Sequence, residues 1–200
     1  MCALRLVGPA YVTRPSPEPL GLPVVWAMTA YEAEVREAVV AHKEHGLTGL
    51  RRPLGTALAV AAAAALTAAG AGEEVLLVPA PSRASAVRTR GRDPTRALQQ
   101  TAVTVLGRNG WQVRGVPALH LVRQVDDQAG LDLAARAANL EEAVRVARPL
   151  LSRVRGRPVV LVDDIVTTGS TLVECARALE SAGACVLAAA VVAATRRRGR

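Results

Sequence analysis

The segment VVLVDDIVTTGST at residues 159–171 constrains this chain more than any other stretch. Val159, Val160, Leu161 and Val162 form an unbroken apolar run with the length and composition of a strand buried on both faces. Asp163 and Asp164 come straight off the end of that run. A hydroxyl-rich turn follows, made of Thr167, Thr168, Gly169, Ser170 and Thr171. Beyond it Leu172, Val173, Ala176 and Leu179 share one side of a helix predicted over residues 171–181, with Gly183 just past its end. A doubly buried strand feeding directly into a helix is half of a parallel crossover unit. It needs strand neighbours in a sheet and helices on both faces, which commits the chain to an α/β fold.

The rest of the sequence supplies those partners. Periodicity predicts a helix over about residues 31–44, with Val35, Val39 and Val40 on one face, and an Ala-rich helix over 54–69 closed by Gly70 and Gly72. A short buried strand is expected over 75–78, a helix over 95–106 and a weaker strand over 113–121. A helix over 132–147 ended by Pro149 and a nearly all-apolar strand over 185–194 complete the set. Residues 1–24, with five prolines and little periodicity, read as an irregular leader; residues 25–195 form one domain and 196–200 a basic, solvated tail.

Composition narrows the function classes. Tyr11, Trp26, Tyr31 and Trp111 are the only aromatic residues, so the core must be built from Ala, Val and Leu, with Trp111 covering a core edge. The aromatic platforms on which single-strand binders stack bases are absent, which argues against direct nucleic-acid binding despite a net charge of +8. Arginine supplies every cation except Lys43, a bias expected of a GC-rich coding sequence, so the basicity is weak evidence of a polyanionic partner. There is no apolar run long enough to span a bilayer and no secretory h-region, so a soluble cytoplasmic protein is expected. Cys2, Cys175 and Cys185 form no CxxC pair or zinc spacing; Cys175 and Cys185 are expected to be buried as small hydrophobes, and no zinc site is predicted.

The turn at 167–171 is an anion seat by its chemistry. Backbone N–H groups at a helix N-terminus and several hydroxyls can surround one phosphate, and Gly169 lets the backbone come close. The plain alternative for TTGST alone is an ordinary capped helix. Paired acids beside it would repel a lone phosphate, but they suit a phosphorylated sugar. Asp163 and Asp164 can accept hydrogen bonds from a ribose hydroxyl pair and help hold Mg²⁺ through those hydroxyls or water. The order of apolar run, two acids and hydroxyl-rich glycine loop resembles the motif with which type I phosphoribosyltransferases bind 5-phosphoribosyl-1-pyrophosphate (PRPP). Neither a Walker loop nor a dinucleotide fingerprint is present.

A second loop, Pro79-Ala80-Pro81-Ser82-Arg83, follows the earlier buried strand, with Arg88, Arg90 and Arg92 close behind. Guanidinium groups stay charged and bind two oxygens each, which suits a pyrophosphate leaving group; a merely solvated basic loop is the alternative. Together with Tyr31 and the HKEHG block at 42–46, the DQAGL block at 127–131, and Arg136, Asn139 and Leu140, these segments resemble the competence protein F (ComF) family of phosphoribosyltransferase-like proteins. The blocks run in family order across roughly residues 25–193.

That resemblance implies a type I phosphoribosyltransferase fold, with a mostly parallel central sheet flanked by helices and a small hood lobe. It implies Asp163 and Asp164 as the catalytic acids that hold ribose and Mg²⁺. Thr167, Thr168, Gly169, Ser170 and Thr171 would bind the 5-phosphate, and Ser82 and Arg83 the pyrophosphate. Arg90, Gln128, Arg136 and Asn139 would be lid or substrate contacts. PRPP and an unidentified acceptor are the implied ligands, competence or DNA-uptake proteins the implied partners, and a homodimer the commonest assembly for such folds.

Two departures from the family pattern matter. Relatives often begin with a cysteine-rich zinc module, of which only Cys2 could be a remnant. Purine-salvage enzymes carry a carboxylate three residues after the second acid, where this chain has Thr167, a very poor general base. Enzymatic phosphoribosyl transfer with release of pyrophosphate is therefore one expectation. A non-catalytic module that binds PRPP or a nucleotide in DNA uptake or repair is the other. His42 and His45 read as a basic last turn favourable to a helix dipole, and His120 as structural.

Overall fold

The computed structural model describes residues 6, 8–122 and 143–195. Along the chain these form β1 (Tyr11–Thr13), β2 (Val25–Ala30), α1 (Ala33–Lys43), α2 (Arg51–Ala68), β3 (Val75–Pro79), α3 (Ala84–Arg90) and α4 (Pro94–Arg108). Then come β4 (Val113–Gly115), β5 (Leu119–Leu121), β6 (Val144–Val146), α5 (Leu151–Val154), β7 (Pro158–Val166), α6 (Ser170–Ser181) and β8 (Cys185–Ala194). Six strands make one sheet in the order β1-β2-β8-β7-β3-β4. Every pairing in it is parallel except that of β1 with β2.

Strand alternation divides the core into two layers, because successive side chains of a strand point to opposite faces. Val159 and Leu161 of β7 pack with Leu172, Cys175 and Leu179 of α6. Val160 and Val162 pack with α2 and α4, whose Leu54, Leu58, Leu98 and Ala102 are buried there. Every residue of β3 is buried, as a strand covered by helices on both faces requires. The alanines of α2 allow close approach to the sheet and to α4. Trp111 packs against the α2–α4 layer, as expected. Among the described residues no helix is long and apolar enough to cross a membrane.

Several sequence expectations are corrected. The leader is not wholly irregular: Tyr11–Thr13 pairs with Val25–Ala27 as an edge strand. The stretch 113–121 is two strands, β4 in the main sheet and β5 in a separate pair, with Pro117 between them. The helix expected over 132–147 does not hold for its described end, because Val144–Val146 is a strand antiparallel to β5. Its alternating β-branched residues put Val144 and Val146 into the core and leave Arg145 exposed, a period of two rather than 3.6. Residues 132–142 lie outside the described residues. Cys185 is exposed, not buried, because it opens β8 before the strand reaches the core, whereas Cys175 is buried as expected.

Candidate functional site

Two opposed crossovers create the site. From β3 the chain passes through α4 to β4 on one side, while from β7 it passes through α6 to β8 on the other. The loops after β3 and β7 therefore diverge, and ligands of open α/β sheets bind in the crevice at such a switch point. β3 leaves β7 after the Pro79–Val162 pair, with a last hydrogen bond from the Ala80 N–H to the Val162 carbonyl at 2.9 Å. β7 continues along β8 as far as Val166. Asp163 and Asp164 are thus strand residues with one open edge, not residues beyond a strand end as the sequence implied.

Alternation then separates the two acids. Asp163 continues the α6-facing row of Val159 and Leu161, while Asp164 continues the row facing α1, α2 and α4. Asp164 is 3 % exposed, and its Oδ2 lies 2.8 Å from Lys43 Nζ at the end of α1. That oxygen accepts no aligned hydrogen bond, so charge alone holds it. The Asp164 Oδ1 accepts the Ile165 N–H at 2.8 Å, and the Asp163 Oδ1 accepts the Asp164 N–H at 2.8 Å. Burial, and then the negative charge of Asp164, push the Asp163 carboxyl up to about 8. Burial alone would lower Lys43, but the carboxylates of Asp164 and Asp163 outweigh it and raise the ammonium above its ordinary value.

A cavity of about 410 Å³ opens in front of the acids. Asp163 faces it, Ser82 and Arg83 enter from the loop after β3, and Thr171 from the first turn of α6. Lys43 and Glu44 close one side, and Leu121 and Val144 of the β5–β6 pair supply an apolar wall. Ser82 Oγ donates to Asp93 Oδ1 at 3.0 Å, and the same oxygen caps α4 by accepting the Arg96 N–H at 3.1 Å. The loop after β3 is thereby tied to the N-terminus of α4.

The turn before α6 has Thr167 exposed and Ser170 buried, with Thr168 Oγ1 and Ser170 Oγ 3.1 Å apart. Gly169 stands at φ +81°, the left-handed region, as the N-cap of α6. A Cβ there would lie 2.9 Å from Leu22 Cδ1, so the glycine makes room for residues 19–22 of the leader rather than only for a ligand. No side chain caps α6, which leaves first-turn N–H groups for an anion.

Of the residues singled out from sequence, Asp163, Ser82, Arg83, Arg90 and Thr171 are brought to one cavity. Thr167, Thr168, Gly169 and Ser170 form the turn that leads to it without lining it. Arg90 is engaged by Glu44, at 2.7 Å, and by the Lys43 carbonyl, at 3.2 Å. Arg92 donates to the His42 carbonyl, and Arg88 is solvent-exposed, so the arginine cluster is divided among different tasks. Gln128, Arg136 and Asn139 lie outside the described residues. His42 does lie in the last turn of α1, but it is 2 % exposed, faces the Pro94 carbonyl at 3.4 Å, and burial lowers its basicity. Lys43 and Glu44, from the HKEHG block that by resemblance would contact the substrate lobe, also line the cavity.

Asp163, the acid that faces the cavity, suits a Mg²⁺ shared with ligand phosphates and waters, whereas Asp164 is already paired with Lys43. Among the described residues no three or more His, Cys, Asp or Glu side chains converge into a self-sufficient metal cage. In sequence, the phosphoribosyl transferase domain family matches residues 101–200, half of the chain. The match takes in β7, both acids, the hydroxyl turn and α6. No curated protein matches the chain.

Proposed function

The chain belongs to the phosphoribosyl transferase domain family, and from that premise we propose that it binds PRPP in the crevice between β3 and β7 and transfers the phosphoribosyl group to an acceptor, releasing pyrophosphate. The mostly parallel sheet flanked by helices agrees with the type I fold. The observation that carries the proposal is the convergence of Asp163, Ser82–Arg83 and the N-terminus of α6 on one cavity.

In this reading the α6 N-terminus and the hydroxyls of residues 167–171 take the 5-phosphate. Asp163 and Asp164 orient the ribose hydroxyls, and Ser82 and Arg83 receive the pyrophosphate. Mg²⁺, when bound, would neutralise the pyrophosphate charge. Leu121 and Val144 exclude water from one side of the reacting centre. The protein contributes position and fixed charge, with no covalent intermediate. Within the superfamily we place the chain with the ComF group, on the sequence blocks quoted above.

A second reading, a non-catalytic PRPP-binding module acting beside competence or repair proteins, is favoured by one observation. Thr167 offers no carboxylate, and Glu44 on the opposite wall is already engaged by Arg90. Turnover separates the two. Incubation with PRPP, Mg²⁺ and a panel of bases and amines should release pyrophosphate with at least one acceptor. The Asp163→Asn, Asp164→Asn double variant should abolish that release. Tight PRPP binding without release across the panel would reject the enzyme in favour of the module.

A further inference from the structure

The buried carboxylate of Asp164 needs a cation, and in this protein the fold itself supplies one. Lys43 Nζ lies 2.8 Å from Asp164 Oδ2, an oxygen that is buried and accepts no aligned hydrogen bond. Lys43 is not a loose surface residue that happens to reach inward. Arg90 Nη1 donates to its carbonyl at 3.2 Å, Arg92 donates to the carbonyl of His42 before it, and Arg90 Nη1 pairs with Glu44 after it at 2.7 Å. The buried His42 ring is held against the Pro94 carbonyl. The last turn of α1 is therefore held by the segment 90–94, and from it the Lys43 side chain reaches the acids. The Lys43 side chain remains 36 % exposed and lines the cavity, while that of Asp164 is 5 % exposed beneath it.

We infer that Lys43 is a built-in counter-cation of the acid pair, which lets the site accept the ribose and phosphate of a phosphoribosyl ligand without a divalent metal at the carboxylates. The inference rests on the phosphoribosyl reading and adds to it a positioning residue from α1. Without the ammonium, the Asp164 carboxylate would hold uncompensated negative charge beneath an incoming phosphate. With it, Asp164 is neutralised from the last turn of α1. The exchange is electrostatic: a lysine on a fixed turn performs locally what a bound metal ion would otherwise perform. Arginine in its place would keep the charge, and methionine would keep only the apolar stem.

The probe is ribose 5-phosphate, which lacks the pyrophosphate that would itself recruit Mg²⁺. Calorimetric titration of wild type in EDTA should show binding, and added Mg²⁺ should strengthen it little. Lys43→Met should weaken binding in EDTA by about tenfold or more, as expected when a buried carboxylate loses its cationic partner, with recovery on adding Mg²⁺. Lys43→Arg should remain near wild type. Titrated with Mn²⁺ alone, Lys43→Met and Lys43→Gln should bind one ion more tightly than wild type while keeping cooperative thermal unfolding. If wild type binds ribose 5-phosphate only when Mg²⁺ is present, or if Lys43→Met binds it in EDTA as well as wild type does, the inference is overturned while the phosphoribosyl reading stands. If wild type binds neither ribose 5-phosphate nor PRPP under either condition, the phosphoribosyl reading itself fails.

Discussion

Asp163 and Asp164 are neighbours in the chain with opposite surroundings, because a strand sends successive side chains to opposite faces. Asp164 meets Lys43, whereas Asp163 faces the cavity with a carboxyl raised to about 8 by burial and by its neighbour. An acid raised in the folded state holds its proton there after the unfolded chain has lost it. Between its ordinary value near 3.8 and its folded value near 8 the folded form binds more protons, so this group's contribution to stability falls as pH rises. Asp163→Asn removes that dependence. In metal-free buffer the variant should gain stability over wild type progressively across this window, by roughly 1–3 kcal/mol at its upper end, and the gain should vanish at its acid end. Denaturant midpoints measured at both ends decide it; parallel curves would reject the shift. Gly169 carries a second residue-scale constraint, since its positive φ and the closeness of Leu22 both exclude a side chain.

Elements in this protein are joined by a few close approaches. α2 and α4 cross at Gly55, where an added Cβ would lie 2.4 Å from Thr101 Cβ and 3.2 Å from the Leu98 carbonyl. Arg51 Nε donates to Thr101 Oγ1 at 3.2 Å along the same contact. Gly55→Ala should therefore destabilise the protein by roughly 1–3 kcal/mol through overpacking, even though alanine is the better helix former by about 1 kcal/mol. Thermal unfolding tests this, and a raised Tm would show that the crossing relaxes. On the other face, α6 holds the β5–β6 pair through a buried carboxylate. Glu174 Oε1 accepts the Val144 N–H at 3.1 Å, and Arg177 Nη2 donates to the Val144 carbonyl at 3.1 Å while pairing with Glu174. Both backbone groups of Val144, a residue of the cavity wall, are thereby fixed from α6. Nothing in the local sequence VRV announces this clamp, which explains why 132–147 reads as a helix but is described at its end as a strand.

At the scale of the whole molecule the core layer between α6 and the sheet encloses Cys175 completely. Burial, followed by the charges of Asp163 and Glu174, pushes its thiol well above the ordinary value. In native protein iodoacetamide should modify the exposed Cys185 and leave Cys175 untouched until the fold opens globally. Peptide mass spectrometry across a denaturant series tests this, and early labelling of Cys175 would show that α6 detaches locally. The sequence alone determined the fold class, the course of β3, α6 and β8, and the buried first half of β7, because buried strands and amphipathic helices depend on neighbours a few residues away. It also placed the hydroxyl-rich turn and the two acids, since they lie in one contiguous segment. Tertiary structure decided what long-range contacts control: that residues 11–13 join the sheet, that Cys185 stays at the surface, and that Arg90 and Arg92 brace α1. It decided above all that Lys43, about 120 residues before Asp164, supplies the cation beside it. Local propensity carries no record of a partner so distant, and only packing α1 against the open end of β7 brings the two charges together.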